Sequence, residues 1–347
     1  MHGRLVLSTY TAAMIAILAC AVIASWIGTG LVRRYALRHN VIDIPNARSS
    51  HEVATPTGGG ASIAVTLLVG IALAGALRWI PRPLALALTG GGAAVAAVGW
   101  LDDRIGLRAR TRLAVHFLAA AWAVLWIHGV SSLNLGVGRL ALGPAGEVLA
   151  VLGIMWAINL YNFMDGIDGL AAAEAVTVGV MGGLIALAQG ERALAVVAVL
   201  TAASCGGFLM QNWPPARIFM GDVGSGLLGF AFGTIAVASE RTAVPLLAWV
   251  ILLGVFVFDA TVTLMRRLRR RHRLYDAHRH HAYQRALRTG LSHRGVTSRI
   301  LVINLALGIL AWLGTSHPVV LPLAVGIATA LLLAAYYAVE RCYPMEH

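Results

Sequence analysis

Long apolar stretches separated by short polar segments dominate this chain. A helix needs about 20 apolar residues to cross the hydrocarbon core of a bilayer. By that measure the sequence predicts eleven spans, near residues 5–31, 60–78, 83–101, 112–129, 145–162, 169–188, 192–211, 223–239, 243–264, 297–314 and 318–339. We therefore expect an all-α polytopic membrane protein that forms a single domain over residues 1–347.

Three segments need separate interpretation. Residues 265–296 form the longest loop and are rich in arginine and histidine. Residues 130–144 alternate apolar with polar or small side chains, which indicates a short exposed hairpin. The first apolar stretch is too long for the core of a signal peptide and has no convincing cleavage site, so we expect it to remain as an anchor.

Composition supports a membrane protein and excludes some chemistry. Of the residues, 59% are apolar and 12% are charged, whereas a soluble chain carries about a quarter charged residues. All 27 basic residues are arginine, which excludes Schiff-base or nucleophilic lysine chemistry. The three cysteines lie far apart without a C-x-x-C pair, so neither a disulfide framework nor a zinc site is indicated.

The arginines predict the orientation. A net charge of +12 would suit a nucleic-acid partner. In a membrane chain, however, it is better explained by positive-inside orientation, so we expect no nucleic-acid partner. With the N-terminus outside and the C-terminus cytoplasmic, all but six of the 27 arginines face the cytoplasm. The six are Arg4, Arg78, Arg82, Arg139, Arg192 and Arg241.

Five acidic residues lie on the same, cytoplasmic side of the predicted bundle as most of the arginines. They are Asp102, Asp103, Asp165, Asp168 and Asp222, in three different cytoplasmic loops. Acids at a membrane surface are costly, so we expect a functional site on the cytoplasmic face. We identify no carboxylate in the middle of a span and no inverted repeat of broken helices, which counts against a transporter with a midplane site.

The segment from Asn159 to Leu170 is the centre of this prediction. On an ideal helix, Asn159 and Asn162 share one face, whereas Asp165 and Asp168 join them only if the helix breaks. The glycine that follows each aspartate permits such a break. We expect a helix that carries polar groups to the membrane surface and ends there, as a metal or phosphate site requires.

Two further acidic motifs each leave an alternative open. The adjacent carboxylates of Asp102 and Asp103 suit a hard cation or a shared proton, but Arg104 would neutralise them in an ordinary helix exit. Asp222 lies in a glycine-rich entry to a helix, which suits phosphate. The alternative for Asp222 is an N-cap.

The two longest cytoplasmic loops carry basic residues. His278, Arg279, His280 and His281 form a dense set of donors for a polyanion; zinc held by histidines alone is the less favoured alternative. Asp259 is expected to neutralise an arginine or to orient a histidine of this loop. In the first loop, the glycines at 58–60 suit phosphate or nucleotide approach, or form a flexible hinge.

Taken together, these motifs resemble the polyprenyl-phosphate N-acetylhexosamine-1-phosphate transferase family over nearly the whole chain. The bacterial members that begin O-antigen, lipopolysaccharide and related surface glycans are the most similar, because they carry segments like Arg48-Ser-Ser-His51 and His281-Ala-Tyr-Gln284. Two departures exist. The glycine triplet lacks the preceding arginine, and Asp102-Asp103-Arg-Ile-Gly replaces Asp-Asp-x-x-Lys, which argues against a muropeptide donor.

The resemblance implies a reaction and a cofactor. An enzyme in the bacterial inner membrane would transfer sugar-1-phosphate from a UDP-N-acetylhexosamine to undecaprenyl phosphate, release UMP, and use Mg²⁺ or Mn²⁺. Asp222 and Asn162 are the implied metal ligands, with Asp165 close to them. Asp102 is the candidate base or positioning group, supported by Asp103.

The resemblance also implies substrate contacts. Asp168 would accept from the uracil N–H, and the remaining candidates for substrate binding are Asn159, Arg48, His51, His278, Arg279, His280 and His281. A single in-line displacement is preferred over a covalent aspartyl intermediate. The alternative is a transporter or flippase for a phosphorylated lipid or sugar. The sequence does not decide which sugar is transferred, and 6-deoxy derivatives are among the candidates. It also leaves open whether the protein is a monomer or a homodimer. Membrane lipids are expected partners in either case.

Overall fold

A computed structural model describes residues 2–45, 53–270 and 279–345, with side chains from residue 13 onward. The helices are α1 (His2–Arg38), α2 (Gly60–Ala76), α3 (Arg82–Ile105), α4 (Ala109–Ile127), α5 (Ala145–Met164), α6 (Leu170–Ala188), α7 (Arg192–Asn212), α8 (Asp222–Ser239), α9 (Leu246–Leu252), α10 (Gly254–Arg269), α11 (Ala282–Arg288), α12 (His293–Ser316) and α13 (Leu321–Cys342). Two antiparallel hairpins pair β1 (Ile42–Asp43) with β2 (Thr55–Pro56) and β3 (Ser132–Asn134) with β4 (Arg139–Ala141).

The protein is a multi-pass, mostly helical membrane protein. Within the described residues, eight helices are long and apolar enough to cross a bilayer, and the pair α9 and α10 makes a ninth if it counts as one span. Each of the eleven predicted segments falls on a helix or on this pair. The helical class is confirmed, while the number of eleven spans, the orientation and the single domain stay predictions. The hairpin expected in residues 130–144 is also confirmed.

The ninth predicted span is not one straight helix. Residues 243–264 are predicted as one span, and within it the chain bends by 80° between α9 and α10. After the bend, α10 packs beside α5 and α13. Hydropathy does not predict this bend, because it records only the length of an apolar segment.

Helix α8 lies at the centre of the bundle and is buried along nearly its whole length. It packs against α3 and α5. At Gly229 a Cβ atom would come within 2.3 Å of the Ala157 carbonyl oxygen, so only glycine permits this approach of α5. Small residues allow such close packing between membrane helices. As a result, the first turn of α8 lies between the ends of α3 and α5.

One buried acid was overlooked in the sequence. Glu174 lies in the second turn of α6 and is buried, and the Asn304 side chain of α12 donates a hydrogen bond to it. Glu174 lies near the start of α6, so it does not contradict the prediction that no carboxylate lies in the middle of a span. The pair joins α6 to α12 inside the bundle, and a hydrogen-bonded amide partner reduces the cost of burying an acid in a membrane.

Candidate active site

Six helix ends meet at one end of the bundle and carry most of the predicted site residues. They are the C-terminal ends of α3, α5 and α7 and the N-terminal ends of α4, α6 and α8. Short connections produce this arrangement. The turn after α3 is closed by Gly106, whose φ of +63° favours glycine, and the chain enters α4 only three residues later.

Asp102 forms an ion pair with Arg112 of α4. The Arg112 Nη1 lies 2.5 Å from the Asp102 Oδ2, and the Asp102 Oδ1 accepts from the Leu107 backbone N–H at 2.5 Å. Arg104, the expected partner, instead lies over the Trp100 ring at 4.2 Å. The idea that Arg104 neutralises the acidic pair is therefore wrong for Asp102, because the turn after α3 brings Arg112 back to it.

Asp103 caps the start of α8. Its Oδ1 accepts from the Asp222 backbone N–H at 2.8 Å, and its Oδ2 accepts from the Val223 N–H at 3.3 Å. These N–H groups have no partner within their own helix, and a carboxylate next to them also interacts favourably with the helix dipole. Asp103 thus fixes where Asp222 lies.

Asp222 is the first residue of α8, and Gly221 holds the N-cap position without a side-chain bond. The N-cap alternative for Asp222 is therefore wrong. Its Oδ2 lies 3.1 Å from the Arg112 Nη1, and its carboxyl also interacts with the carboxyl of Asp102 and the side-chain amide of Asn162. This carboxyl links α8 to α3, α4 and α5 at the site.

The break after α5 is confirmed. The helix ends at Met164, Asp165 has φ −87° and ψ 50°, and Gly169 has φ +75° just before α6 begins. The Asp165 side chain has no hydrogen bond or ion pair among the described residues. Burial, and then the negative charges of Asp222 and Asp103, raise the pKa of Asp165 well above its usual value.

The two asparagines of α5 differ in their contacts. Asn162 donates to the Ser225 Oγ at 3.4 Å and faces Asp222. Asn159, one turn deeper, donates to the Met155 carbonyl of its own helix at 2.7 Å. Asp102, Asp103, Asp165 and Asp222 form what we call the acidic cluster. Asn162 lies beside this cluster, whereas the geometry assigns no ligand to Asn159.

Asp168 lies at the edge of the site and already contacts protein groups through both oxygens. Its Oδ2 accepts from the Ala216 N–H at 3.0 Å, and its Oδ1 lies 3.2 Å from the His293 Nδ1. A hydrogen bond from uracil would have to share or replace one of these contacts. The uracil role of Asp168 stays a prediction.

The glycine triplet packs one helix start against another. The backbone N–H groups of Gly59 and Gly60 donate to the carbonyls of Phe219 and Met220 at 2.9 and 2.8 Å. A Cβ atom at Gly60 would come within 2.4 Å of the Gly224 Cα. For Gly59 and Gly60 both expectations, phosphate approach and a hinge, are wrong because these glycines are used for close contact of α2 with α8.

The basic loop docks through His281 and α11. Asp259 accepts from the Ala282 and Tyr283 backbone N–H groups at 2.9 and 3.1 Å, and its Oδ1 lies 3.4 Å from the His281 Nδ1. The expectation that Asp259 orients a histidine is confirmed. The Tyr283 hydroxyl donates to the Phe163 carbonyl at 2.9 Å, so α11 is fixed against the end of α5.

The remaining basic candidates are only partly described. Arg279 and His280 are half-buried just before α11. His281 is 3% exposed, so it supports the loop and does not present itself to a ligand. Arg48, His51 and His278 lie outside the described residues, and their roles stay predictions.

Comparison with known proteins agrees with these motifs. Residues 85–240 match the model of glycosyl transferase family 4. Decaprenyl-phosphate N-acetylglucosaminephosphotransferase of Mycobacterium leprae (strain TN) is 32% identical over 330 residues, covering 84% of this chain and 80% of that protein. The chain belongs to glycosyl transferase family 4. The resemblance drawn from the motifs is confirmed.

Two other relatives of this glycosyl transferase are named for a different lipid carrier or a different transferred group. The probable undecaprenyl-phosphate N-acetylglucosaminyl 1-phosphate transferase of Bacillus subtilis (strain 168) is 31% identical, covering 80% of this chain and 77% of that protein. The phospho-N-acetylmuramoyl-pentapeptide-transferase of Moorella thermoacetica (strain ATCC 39073 / JCM 9320) is 34% identical, covering 61% of this chain and 68% of that protein. Prenyl carrier and sugar donor therefore vary among its relatives.

The acidic cluster of this glycosyl transferase has the oxygen donors of a cation site, but its side chains do not surround a single metal position. Among the described residues, no three acidic, histidine or cysteine side chains are arranged around one metal position. Arg112 lies between Asp102 and Asp222, and Asp103 is turned towards α8. Asp165 is left without a partner. Oxygen donors with excess negative charge fit a hard divalent cation.

Sequence reasoning missed two residues of the site. Arg112 was counted only as a topology marker, although it lies in the first turn of the helix that follows the acidic pair. Asn212 ends α7 and joins two loops: its Oδ1 accepts from the Gly169 N–H at 3.0 Å, and its Nδ2 donates to the Ile218 carbonyl at 2.9 Å. A polar residue at the end of an apolar run was the available signal for Asn212.

Proposed function

We propose that this protein transfers N-acetylhexosamine-1-phosphate from a UDP-N-acetylhexosamine to undecaprenyl phosphate in a bacterial inner membrane. A phosphate oxygen of the lipid attacks the phosphorus that carries the sugar, the bond from that phosphorus to the bridging oxygen breaks, and UMP leaves. The product is the first lipid-linked intermediate of a surface or cell-wall glycan. We prefer N-acetylglucosamine as the sugar.

One observation carries the proposal. Carboxylates from three separate connections (Asp102 and Asp103, Asp165, and Asp222) lie together with a guanidinium at the end of a membrane bundle. Two phosphate groups about 4 Å apart repel each other by about 4 kcal/mol per pair of unit charges at an effective dielectric of about 20. A site for joining two anions needs bound cations, and this cluster supplies the groups that hold them.

Asp222, Asn162 and Asp165 are the residues we assign to Mg²⁺ or Mn²⁺. When bound, the ion neutralises charge on the phosphates that transfer and leave. Asp102 orients the lipid phosphate. A phosphate monoester already carries about −1.5 to −2 charge at pH 7, so it needs little deprotonation. Asp103 acts through α8 by fixing Asp222.

The basic side of the site is assigned to the nucleotide. Arg279 and His280, at the entry to α11, would hold the diphosphate, together with His278, which precedes them in the chain. The Tyr283 contact to the end of α5 supports this assignment, because it fixes α11 next to Asp165. Arg48 and His51 are retained as substrate contacts of the first loop.

Transfer of the sugar-phosphate is the test of this function. Purified protein in nanodiscs receives undecaprenyl phosphate, Mg²⁺ and UDP-N-acetylglucosamine labelled in the sugar. We expect label in a lipid-linked product together with an equal amount of UMP. UMP without lipid-linked label would indicate a hydrolase. Movement of lipid across the bilayer without UMP would indicate the transporter or flippase.

A donor and carrier panel tests the finer assignment. UDP-N-acetylmuramoyl-pentapeptide is included because a relative carries that activity in its name, and decaprenyl phosphate because another does. We expect the highest kcat/KM for UDP-N-acetylglucosamine with undecaprenyl phosphate. A preference for the muropeptide or for a 6-deoxy sugar would overturn the donor assignment and leave the reaction class intact.

A further inference from the structure

Arg112 occupies the position where a cation would be expected. A single atom, Nη1, contacts the Asp102 Oδ2 at 2.5 Å and the Asp222 Oδ2 at 3.1 Å. The guanidinium thus neutralises two acids from different helices. A divalent ion on Asp222 would lie close to this positive charge and repel it, so the two cannot keep the same contacts at once.

The surroundings of Arg112 leave room for its side chain to move away from Asp222 toward the exposed face of α4. Its side chain is 36% exposed, so it can leave Asp222 without unpacking a core. The neighbouring α4 residues Leu113, Phe117 and Leu118 are exposed, as expected of a helix face turned to lipid. His116, one turn deeper on the same helix, has a buried Nδ1 without a hydrogen-bond partner among the described residues. A displaced Arg112 guanidinium would therefore lie beside this lipid-facing surface, from which the anionic head of a lipid acceptor would arrive.

We propose that Arg112 and the divalent cation are alternative partners of the Asp222 carboxylate, and that the released Arg112 binds the phosphate of the lipid acceptor. Arg112 thus holds the acidic cluster together before the ion binds and becomes an acceptor-binding residue afterwards. The exchange couples cation binding to acceptor binding. This inference rests on the proposed function.

The test measures metal affinity without substrates. Mn²⁺ binding to the purified full-length protein in nanodiscs is followed by electron paramagnetic resonance for wild type, Arg112→Gln, Arg112→Lys and Arg110→Gln. Arg110 is an exposed arginine on the same helix, so its variant loses the same charge without touching the cluster. We expect the Mn²⁺ Kd of Arg112→Gln to fall about tenfold, because no cation has to be displaced, and that of Arg110→Gln to stay unchanged.

The same variants should bind the lipid acceptor more weakly, although Arg112→Gln binds Mn²⁺ more tightly. The KM for undecaprenyl phosphate should rise about tenfold in Arg112→Gln and also rise in Arg112→Lys, because an ammonium group lacks the planar fork of donors with which a guanidinium binds phosphate. The KM for the nucleotide donor should stay constant. An unchanged or higher Mn²⁺ Kd in Arg112→Gln would overturn the exchange, and an unchanged acceptor KM would overturn the acceptor contact.

The outcomes also separate this inference from the proposed function. A wild-type protein that binds Mn²⁺ and makes lipid-linked sugar, but whose Mn²⁺ Kd is unaffected by Arg112→Gln, refutes the inference alone. A wild-type protein that neither binds Mn²⁺ nor releases UMP refutes both. Thermal stability of each variant shows whether a changed Kd comes from a folded protein.

Discussion

Asp103 and Asp222 carry the same side chain at the same end of the bundle, but their surroundings give them different tasks. Asp103 directs both oxygens at backbone N–H groups of α8. Asp222 directs its carboxyl at Arg112, Asp102 and Asn162. The first arrangement stabilises a helix end, whereas the second gathers groups that repel one another unless a cation is present.

We expect opposite effects from removing one charge at these two positions. Asp103→Asn should lower the free energy of unfolding by about 1–2 kcal/mol, because a charged cap is lost. Asp222→Asn should leave the melting temperature of the metal-free protein unchanged or higher, since it relieves repulsion with Asp165, but should lower kcat by about 10²–10³-fold. Thermal denaturation and UMP release measure the two effects. A loss of stability in Asp222→Asn with normal turnover would contradict both assignments.

The chemistry of individual residues was predictable where it is costly. Asp, Asn and His at the ends of apolar runs are unfavourable there, so their presence indicates a site. Arg112 was not predictable in this way, because the chain uses 27 arginines and most mark the cytoplasmic side. Pairing of Arg112 with Asp102 depends on the turn at Gly106, and the hydrophobic pattern does not record it.

At the scale of elements, helix ends position the site by capping one another. Asp103 of α3 caps α8, and Asp259 of α10 caps α11. Glu340 of α13 also connects α10 with α11, because it forms ion pairs with Arg266 of α10 and with the buried Arg285 of α11. The bend between α9 and α10 allows these contacts. The eleven apolar segments were readable from the sequence, but the bend was not, since hydropathy records the length of a segment and not its direction.

Removing the cap on α11 should release the basic loop. Asp259→Asn loses charge-assisted bonds to two backbone N–H groups, each worth about 1.5–3 kcal/mol when the acceptor is charged. We expect faster trypsin cleavage after Arg285 and Arg288, together with a higher KM for the nucleotide. Thr263→Val is the matched control, because it removes only the Thr263 hydroxyl bond to Asp259 (3.0 Å). If cleavage and KM in Asp259→Asn equal those of the control, Asp259 does not hold the loop.

The contact of α2 with α8 should tolerate no side chain. Gly60→Ala would place a Cβ 2.4 Å from the Gly224 Cα, and overpacking of this kind costs about 1–3 kcal/mol. Gly153→Ala is the control, since Gly153 lies in α5 with nothing within 4 Å of its Cβ position. We expect a lower melting temperature and lower turnover for Gly60→Ala alone. Equal melting temperatures would mean that the two helix starts are farther apart than the structure places them.

At the scale of the whole molecule, two ends of the bundle have different characters. One end holds the acidic cluster and the docked α11. The other holds the β3–β4 hairpin, which Glu240 fixes by accepting from the Asn134 and Leu246 backbone N–H groups at 2.5 and 2.8 Å. Helix α5 joins the ends: it starts just after the hairpin and ends at Met164, directly before Asp165. Its 20 residues span about 30 Å, the thickness of the hydrocarbon core.

This separation makes the predicted orientation testable with cysteines. Cys342 is exposed at the cluster end, and Ser131→Cys would place a thiol beside the hairpin at the opposite end. In a Cys20→Ala background, a membrane-impermeant maleimide should label Cys342 only in inverted vesicles and Ser131→Cys only in spheroplasts, because the arginines favour a cytoplasmic cluster. Cys205 is buried and should stay unlabelled. The reverse pattern would put the cluster on the outer face, away from cytoplasmic nucleotides, and would rule out the proposed donor. Labelling of both thiols from one side would show that α5 does not cross the membrane.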